Sequence, residues 1–559
     1  MSEQFLDRAN VVAVFEEMRR WLVPDKRAPA ATGAPPSSSS ASAHRPGHWA
    51  GVDDDRLTYT TPMTPAELLR RVHGCAFDDF LLSPQFSVVA RRDPARIDLT
   101  SRLTTKLVLK RPIVSANMDT VTRAPMAIVQ AEEGGLGIID RGFRPGEIEG
   151  QVREIQIVKR TQHGVVSDPY TIPPDAGLEQ AIQLMQRSGV GTLVVVDAAR
   201  RLLGLLTERD VRFVSGAARV ADRMTPAQRL TVHEGTIGID EAERVMVEHK
   251  VKKLPLVESG GRLLGLITAR DISKHRRQPF ATRDAQGRLR VGAAIGATGD
   301  YLERAAELIR AEVDVIVIDI AHGHSVVMAS AIEQFRRRFG GFELIAGNVG
   351  TAEGARFLVE RGVDGVKVGI GPGGGCTTRI TTSFGVPQVQ ALVECRLAIG
   401  DRVPIIADGG ISRDGALALA LLFGGDTAML GSAFAGTLET PGEIVHKPVV
   451  LPEGQRTVRV PFKVLRGMAS IGAIKDRLDV EDAAEVDLDA IGAEGLETSV
   501  PARGSVRPVI QDMLKHLCSA ISYGGAESLA DLRRSFWSDP DRYLIRLSAA
   551  ARRESYDRS

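Results

Sequence analysis

Eight short apolar runs are spread along the chain, and helix-like stretches alternate with them. This alternation is typical of parallel sheets whose strands are connected by helices. Eight such strands close into a (β/α)8 TIM barrel, so we predict that α/β fold. The runs are PIVSANM (112–118), LGIID (136–140), VGAAIGA (291–297), VIVIDIA (315–321), LIAGNV (344–349), GVKVGI (365–370), PIIADGG (404–410) and TAMLGSA (427–433).

An internal repeat lies between the second and the third apolar run. The stretch GTLVVVDAARRLLGLLTERDV at 191–211 returns as KKLPLVESGGRLLGLITARDI at 252–272. Two units of this size usually pair around a shared core, because neither buries its apolar face alone. We therefore expect a two-unit domain inserted between barrel strands 2 and 3.

This repeat resembles a pair of CBS modules, also called a Bateman domain. The resemblance implies a regulatory site for purine nucleotides such as ATP or GTP. The positions that match ribose-contacting residues of that family are Thr207, Asp210, Thr268 and Asp271. A second interpretation stays open, in which Asp210 and Asp271 only cap the helices that follow them.

The composition is that of an ordinary globular protein with two or three domains. A net charge of +1 over 559 residues gives no reason to expect nucleic acid or a membrane surface as a partner. There is no bilayer-spanning apolar run and no visible signal peptide, and four cysteines without CxxC spacing favour the cytoplasm. The predicted regions are an N-terminal helix (1–27), a disordered linker (28–55), a first barrel part (56–159), the regulatory pair (160–278) and a second barrel part (279–559).

A cysteine stands at the end of a glycine-rich loop, in KVGIGPGGGCTTR at 367–379. Glycine loops cradle phosphate with their N–H groups and have no need of a thiol for that task. A thiolate is a strong nucleophile, and an electrophilic purine carbon is a suitable target for Cys376. Thr378 could pass protons to or from such an adduct. The alternative, a cysteine that only packs, has little support in a loop with few side chains.

Glycines after the seventh and eighth runs predict a phosphate grip next to that loop. Asp408 lies between the grip and Cys376, and its acceptor-only carboxylate suits two ribose hydroxyls. The predicted ligand is therefore a nucleoside monophosphate whose base meets Cys376. The residues of the grip are Gly409, Gly410, Gly431 and Ser432.

Several motifs occur in an order that resembles the IMP dehydrogenase/GMP reductase family, over about residues 56–556. These motifs are SANMDTVT, GGLGII, IDIAHGHS, AGNVGT, GIGPGGGCTTR, ADGGI, GSAFAGTLETPGE and RGMAS. The resemblance implies a covalent adduct between Cys376 and C2 of the purine, with Thr378 assisting. In the dehydrogenase reaction, hydride passes from C2 to NAD and water then releases the product.

The resemblance also implies further site residues. Asp319 would contact the ribose of the nicotinamide nucleotide, beside Asn348 and Gly369, and Glu494 would contact the purine ring. Potassium would be held by backbone carbonyls, and family members are tetramers that often stack into octamers. The matching residues are Gly467 and Met468 for substrate, Arg477 for water activation, and Gly371, Gly373 and Cys376 for K+.

The chain departs from the family pattern at five places. Gly374 and Leu465 replace a serine and a tyrosine that contact phosphate, and Asp140 replaces a histidine after GGLGII. Leu478 follows Arg477 where dehydrogenases have a tyrosine, and Tyr556 ends the C-terminal ESY triplet where the family has a histidine.

Three functional interpretations follow from these features. AHGHS, SFGVPQ and FAGTLETPGE favour an NAD-dependent IMP dehydrogenase. ANMDTV and the missing tyrosine favour a GMP reductase, which uses NADPH, releases ammonia and need not activate water. A paralogue with weak turnover that binds nucleotides through its CBS pair is the third.

Overall fold

The structure is a computed structural model and describes residues 63–161, 169–212, 218–450, 457–477 and 492–556. The predicted N-terminal helix at 1–27 and the linker at 28–55 lie outside these ranges. Leu478 and the side chain of Asp271 are also outside the described part.

Eight parallel strands close into a barrel, which confirms the predicted (β/α)8 fold. The first barrel strand pairs with the second and with the eighth, so the sheet has no free edge. Helices cover the outer face, and the strands are accordingly buried on both sides. The barrel strands are Ile113–Ser115, Leu136–Ile139, Gly292–Ile295, Val315–Asp319, Leu344–Val349, Gly365–Val368, Ile405–Asp408 and Thr427–Leu430.

Apolar side chains fill the interior of the barrel. Val114, Ile138, Val317 and Ile345 belong to one buried cluster inside it. The barrel is therefore a packed core, and a ligand has room only at its ends. At the carboxyl ends, residues such as Asn117 leave the sheet and line a cavity, which is why most strands are shorter than the predicted runs.

The helices between the strands begin at hydrogen-bonded caps in several cases. Ser325 Oγ accepts a hydrogen bond from Met328 N at 3.3 Å, and Thr351 Oγ1 accepts one from Gly354 N at 3.2 Å. Among the described helices none is long and apolar enough to cross a membrane. The helices of the barrel part are Pro65–Val72, Ala124–Glu132, Ile148–Arg160, Tyr301–Arg310, Val326–Phe339, Ala352–Glu360, Thr378–Thr381, Gln388–Ile399, Asp414–Leu422, Ile471–Lys475, Val506–Tyr523, Leu529–Ser538 and Ala549–Tyr556.

The repeat between the second and third barrel strands folds as two small α/β units. Each unit has its own apolar core, and a further cluster joins strand residues such as Val194 and Leu205 of one unit to Leu263 and Leu266 of the other. The strands are Thr171–Ile172, Thr192–Val196, Leu202–Thr207 and Thr225–Pro226 in the first sheet, and His233–Glu234, Lys253–Val257 and Leu263–Thr268 in the second. The helices are Leu178–Ser188, Glu208–Val211, Val220–Arg223, Ile239–Glu248 and Ala269–Arg277.

A three-stranded antiparallel sheet follows the eighth barrel strand and leads the chain back to the cavity. Its strands are Val445–Val450, Thr457–Arg466 and Glu497–Pro501. The end of its middle strand brings Gly467 and Met468 to the cavity wall. Two small pairs complete the described strands: Phe80–Leu82 with Leu544–Arg546, and Ser101–Arg102 with Val108–Leu109.

Candidate active site

A cavity of about 320 Å³ lies at the carboxyl ends of the barrel strands, where active sites of this fold occur. All the site residues predicted for the barrel part line it, although they come from the ends of five barrel strands and from later segments of the chain. They are Asp319, Asn348, Gly369, Gly371, Gly373, Cys376, Thr378, Asp408, Gly409, Gly410, Gly431, Ser432, Gly467, Met468, Arg477 and Glu494.

Two glycines of the cysteine loop, Gly369 and Gly371, are required by its path. Gly369 has φ +152°, and a Cβ there would stand 2.0 Å from the backbone oxygen of Asp408. Gly371 has φ +84°, and a Cβ there would meet the side chain of Arg379 at 2.6 Å. Cys376 N then donates to Gly373 O at 2.9 Å, which turns the loop and brings the thiol to the cavity.

The thiol is the first member of a short hydrogen-bonded chain. Cys376 Sγ lies 3.2 Å from Thr378 Oγ1. The Thr378 hydroxyl donates to Glu494 Oε2 at 2.7 Å, so its oxygen is left to accept from the thiol. Glu494 is fixed because its backbone N donates to Ala469 O and its O accepts from Thr377 N. The arrangement can carry a proton from the thiol to a carboxylate.

Lys367 is a site residue that the sequence reasoning missed. Its side chain is 3% exposed, lines the cavity and forms ion pairs with Asp319 at 2.9 Å and with Asp408 at 2.7 Å. It also donates to Asn348, whose Nδ2 donates to Asp408 at 2.9 Å. The signal was present as one charged residue inside the apolar run GVKVGI, whose neighbours are buried on both faces.

The ammonium group favours the charged form of Asp319 in spite of its burial. Burial alone would raise the pKa of Asp319, but Lys367 and Arg141 outweigh it and lower that pKa below the usual value. Burial likewise acts to lower the pKa of Lys367, and the two carboxylates reverse the effect and raise it. Lys367 therefore holds Asp319 and Asp408 side by side at the cavity wall.

The end of the cavity that the sequence assigns to a phosphate group is lined by glycines and one hydroxyl. Ser432 supplies that hydroxyl, and Leu465 lies where a further polar group would be expected by resemblance. A Cβ at Gly374 would lie 3.7 Å from Ser432 Cβ, which is an ordinary van der Waals contact. Within the described ranges, the cationic residues of the lining are Arg141, Lys367 and Arg477.

Arg477 reaches the cavity from the segment that follows helix Ile471–Lys475. Its Nη2 donates to Met468 O at 2.8 Å, while its buried Nη1 has no hydrogen-bond partner in the described part of the chain. Burial and then Arg141 lower the pKa of Arg477 to about 10. This makes its neutral form, and therefore a role as a base, more accessible than for an ordinary arginine.

The cysteine loop also offers the oxygen donors that a monovalent cation requires. The implied K+ ligands are the carbonyls of Gly371, Gly373 and Cys376, and hard carbonyl oxygens suit such an ion. Gly373 O accepts one hydrogen bond, from Cys376 N, which leaves it a second lone pair. The donor chemistry of the loop therefore fits the ion.

The predicted nucleotide contacts of the repeat do not line this cavity. Asp210 Oδ2 accepts hydrogen bonds from Thr207 N and Thr207 Oγ1, both at 2.7 Å, and so caps helix Glu208–Val211. These are the hydrogen bonds that a capping role of Asp210 requires, and the predicted nucleotide contact of Asp210 stays a prediction. Thr268 ends a strand and pairs with Lys253.

Two of the departures from the family pattern have structural partners. Asp140 is fully buried and accepts from Arg123 Nε at 3.2 Å. Burial raises the pKa of Asp140 to about 6. Tyr556 Oη donates to Phe80 O at 3.0 Å, and the guanidinium of Arg413 lies 4.0 Å from the centre of its ring.

The fold and the cavity define a class of protein: a (β/α)8 barrel with a loop cysteine at the carboxyl ends of its strands. The model of the IMP dehydrogenase / GMP reductase domain matches residues 74–557. The chain belongs to that family.

Known relatives and solved structures agree with this assignment. Inosine-5'-monophosphate dehydrogenase of Aquifex aeolicus is 40% identical over 487 residues, which are 86% of this chain and 95% of the relative. The enzyme of that name from Bacillus subtilis is 41% identical over 491 residues, with the same shares.

A variant of GMP reductase from Trypanosoma brucei in complex with guanosine 5'-monophosphate has a TM-score of 0.77 and 36% identity, over 87% of this chain and 98% of that one. GMP reductase from the same organism in complex with guanosine 5'-triphosphate has a TM-score of 0.70 and 32% identity, over 85% and 98%.

Proposed function

We propose that the protein oxidises inosine 5'-monophosphate (IMP) to xanthosine 5'-monophosphate (XMP), with NAD as the hydride acceptor. The observation that carries this proposal is the Cys376–Thr378–Glu494 hydrogen-bonded chain, which stands in one cavity with Asp408 and the glycine-lined phosphate end. The reaction belongs to guanine nucleotide biosynthesis.

The side chains account for the chemistry in two halves. The thiol proton leaves through Thr378 to Glu494, and the Cys376 sulfur bonds to C2 of the purine. Bound NAD would supply the acceptor for the hydride that leaves C2 with its electron pair. Water then adds at C2, the carbon–sulfur bond breaks, and XMP and the thiol are released. Arg477, with its lowered pKa, is the group we assign to take the proton of that water.

The same cavity supplies the binding groups. Asp408, oriented by Lys367, accepts from the ribose hydroxyls of the substrate. Gly409, Gly410, Gly431 and Ser432 receive its phosphate through N–H groups and one hydroxyl. Gly467 and Met468, which follow the middle strand of the antiparallel sheet, are assigned to contact the substrate.

A second ligand position lies at the carboxyl ends of the fourth, fifth and sixth barrel strands. Asp319, Asn348 and Gly369 are assigned to the nicotinamide nucleotide. The carbonyls of Gly371, Gly373 and Cys376 are assigned to K+, whose binding would hold the cysteine loop in place.

GMP reductase activity is the second candidate. The solved structures named above are GMP reductases, and Leu478 removes the tyrosine that the dehydrogenases use with Arg477. We favour the dehydrogenase because relatives of about 40% identity over 86% of the chain carry that name. Since Leu478 cannot assist Arg477, we propose that hydrolysis is slow and limits turnover.

We also propose that the inserted pair (160–278) regulates the enzyme through purine nucleotides and that the subunits form a cytoplasmic homotetramer, which stacks into octamers. The pair contributes no residue to the cavity lining. Excising it with a short linker should keep the chemical step and change assembly size or the response to ATP and GTP. Activity and light scattering measure this, and a folded barrel without activity would refute it.

Absorbance of the reduced nicotinamide distinguishes the dehydrogenase reaction from the reductase reaction. IMP with NAD should produce NADH, with a burst near one per active subunit followed by a slow steady rate. GMP with NADPH should give no change. Consumption of NADPH with release of ammonia, and no burst from IMP, would assign the reductase reaction. No change of absorbance in either assay would favour the third interpretation, a nucleotide-binding paralogue with weak turnover.

A further inference from the structure

One guanidinium connects the loop after the first barrel strand to the segment that carries Arg477. Arg466 donates to Asp119 Oδ2 twice, from Nε at 3.1 Å and from Nη2 at 2.7 Å. Its Nη2 also donates to Asp476 Oδ2 at 2.6 Å. We call Asp119, Arg466 and Asp476 the ion triad.

Backbone contacts reinforce the connection between the two segments. Arg466 N donates to Thr120 Oγ1 at 3.2 Å, and Asp119 N donates to the sulfur of Met468 at 3.4 Å. Asp119 is buried, and although burial acts to lower the pKa of Arg466, its two carboxylates raise it. The triad is therefore a network of charge-assisted hydrogen bonds that is partly shielded from water, and such bonds are stronger than neutral ones.

Arg477 is the next residue after the triad member Asp476. Within the described residues its guanidinium makes one hydrogen bond, from Nη2 to Met468 O, and the sulfur of Met468 in turn accepts from Asp119 N. Arg477 and Met468 line the cavity, whereas Asp119 does not. The placement of Arg477 at the cavity thus depends on groups that the triad fixes.

We infer that Asp119 is a positioning residue for the hydrolytic half of the reaction, because through Arg466 and Asp476 it holds Arg477 at the cavity. This inference rests on the proposed function, in which Arg477 takes the proton of the attacking water. It assigns Asp119 no contact with the substrate.

A purely electrostatic role for Asp119 predicts the opposite result. Burial, Arg141 and Arg466 lower the pKa of Arg477, while the carboxylates of Asp119 and Asp319 raise it. Removing the charge of Asp119 would therefore make Arg477 easier to deprotonate and raise the steady rate at lower pH. Loss of position instead lowers the steady rate at every pH.

Stopped-flow mixing of the full-length enzyme with IMP and NAD separates these cases. In Asp119→Asn we expect the rate of the NADH burst to stay within twofold of the wild type and the steady rate to fall at least tenfold from pH 7 to 9. Asp476→Asn, at an exposed position, should lower the steady rate less and in the same direction. It tests the triad even if the buried variant folds poorly.

Asp364→Asn is the matched control, since Asp364 forms a partly buried pair with Arg336 at 2.6 Å and does not line the cavity. It should leave the burst and the steady rate unchanged. The inference would be overturned if the wild type shows a burst and the steady rate of Asp119→Asn equals that of the Asp364→Asn control. A steady rate of Asp119→Asn above that of the control at low pH would overturn it as well. Absence of any burst in the wild type would count against the proposed function instead.

Discussion

Two buried lysines, one at each end of the barrel, each bridge two aspartates. Lys159 pairs with Asp284 at 3.1 Å and with Asp314 at 2.7 Å, at the amino ends of the strands. Lys367 pairs with Asp319 and Asp408 at the carboxyl ends. The two lysine side chains are 6% and 3% exposed, so burial does not distinguish them.

The carboxylates differ in what they can still bind. Asp314 Oδ2 accepts from Lys159 and from Val291 N, and neither Asp314 nor Lys159 lines the cavity. Asp319, at the other end of the same strand, lines the cavity together with Lys367. The same arrangement, a buried lysine between two aspartates, therefore lies away from the cavity at one end of the barrel and lines it at the other. A buried charge by itself does not indicate a functional site; its position relative to the cavity does.

The largest effect is expected at the thiol. Cys376→Ala should abolish turnover and leave IMP binding within about tenfold, because the ribose and phosphate contacts remain. Steady-state kinetics and calorimetric titration measure the two quantities. Cys518→Ala is the control, since burial raises the pKa of that thiol to about 11 and it lies outside the cavity lining. Turnover retained by Cys376→Ala would contradict the assignment.

Exchanging each lysine for methionine tests the comparison directly. Lys367→Met removes the cation that Asp319 and Asp408 share, so we expect kcat/KM for IMP to fall by roughly 10²-fold or more. Lys159→Met should lower unfolding stability by about 3–5 kcal/mol and leave kcat/KM within twofold. Thermal melting and steady-state kinetics on both variants give the answer. Equal losses of kcat/KM would remove the distinction between the two ends.

The buried Asp140 should make stability depend on pH. Its pKa is raised from 3.8 to about 6, so the native state binds more protons than the unfolded state between these values and stability falls as pH rises through that window. At neutral pH the penalty is on the order of 3 kcal/mol. Asp140→Asn should therefore gain melting temperature relative to wild type between pH 5 and pH 7.5, by a few degrees.

Asp426, at the amino end of the eighth strand, provides a control of opposite sign. Burial would raise its pKa, but Arg396 and Arg533 lower it below the usual value. The unfolded state therefore binds more protons as pH falls, and Asp426→Asn should lose more melting temperature at pH 7.5 than at pH 4. Parallel pH curves for the two variants would contradict the stated electrostatics.

The smallest effect is expected at the phosphate end. Gly374→Ser adds a hydroxyl near Ser432, where the Cβ meets no atom closer than 3.7 Å. One additional hydrogen bond to phosphate should lower KM for IMP by roughly two- to tenfold. Gly374→Ala adds the carbon without the hydroxyl and should leave KM unchanged. A higher KM in both variants would indicate that the loop has no room for a side chain.

The sequence was sufficient to predict the barrel and the residues around its cavity. Each predicted apolar run contains one barrel strand. The closed barrel brings together the polar residues at and after the carboxyl ends of the strands, such as Cys376, Asp408 and Ser432. Lys367 was missed because its partners, Asp319 and Asp408, are contributed by other strands.

Long-range pairings explain the other omissions. Thr378 and Glu494 are 116 residues apart, so no local pattern gives their hydrogen bond. The ion triad likewise joins Asp119 to Arg466 across 347 residues. For Asp210, the helix cap and a nucleotide contact use the same residue types at the same spacing, so the sequence left two interpretations; the structure contains the cap hydrogen bonds, and the nucleotide contact stays a prediction.

The most direct test of the account is the mass of the intact protein after acid quenching with IMP and NAD. We predict one purine nucleotide adduct per active subunit in the wild type, because hydride transfer is expected to outpace hydrolysis. The adduct should be absent in Cys376→Ala, and in Asp119→Asn it should decay more slowly than in the wild type once IMP is exhausted. Turnover of IMP and NAD in the Cys376→Ala variant, or an adduct mapped to another cysteine, would contradict the central claim that the Cys376 sulfur forms the bond to the purine.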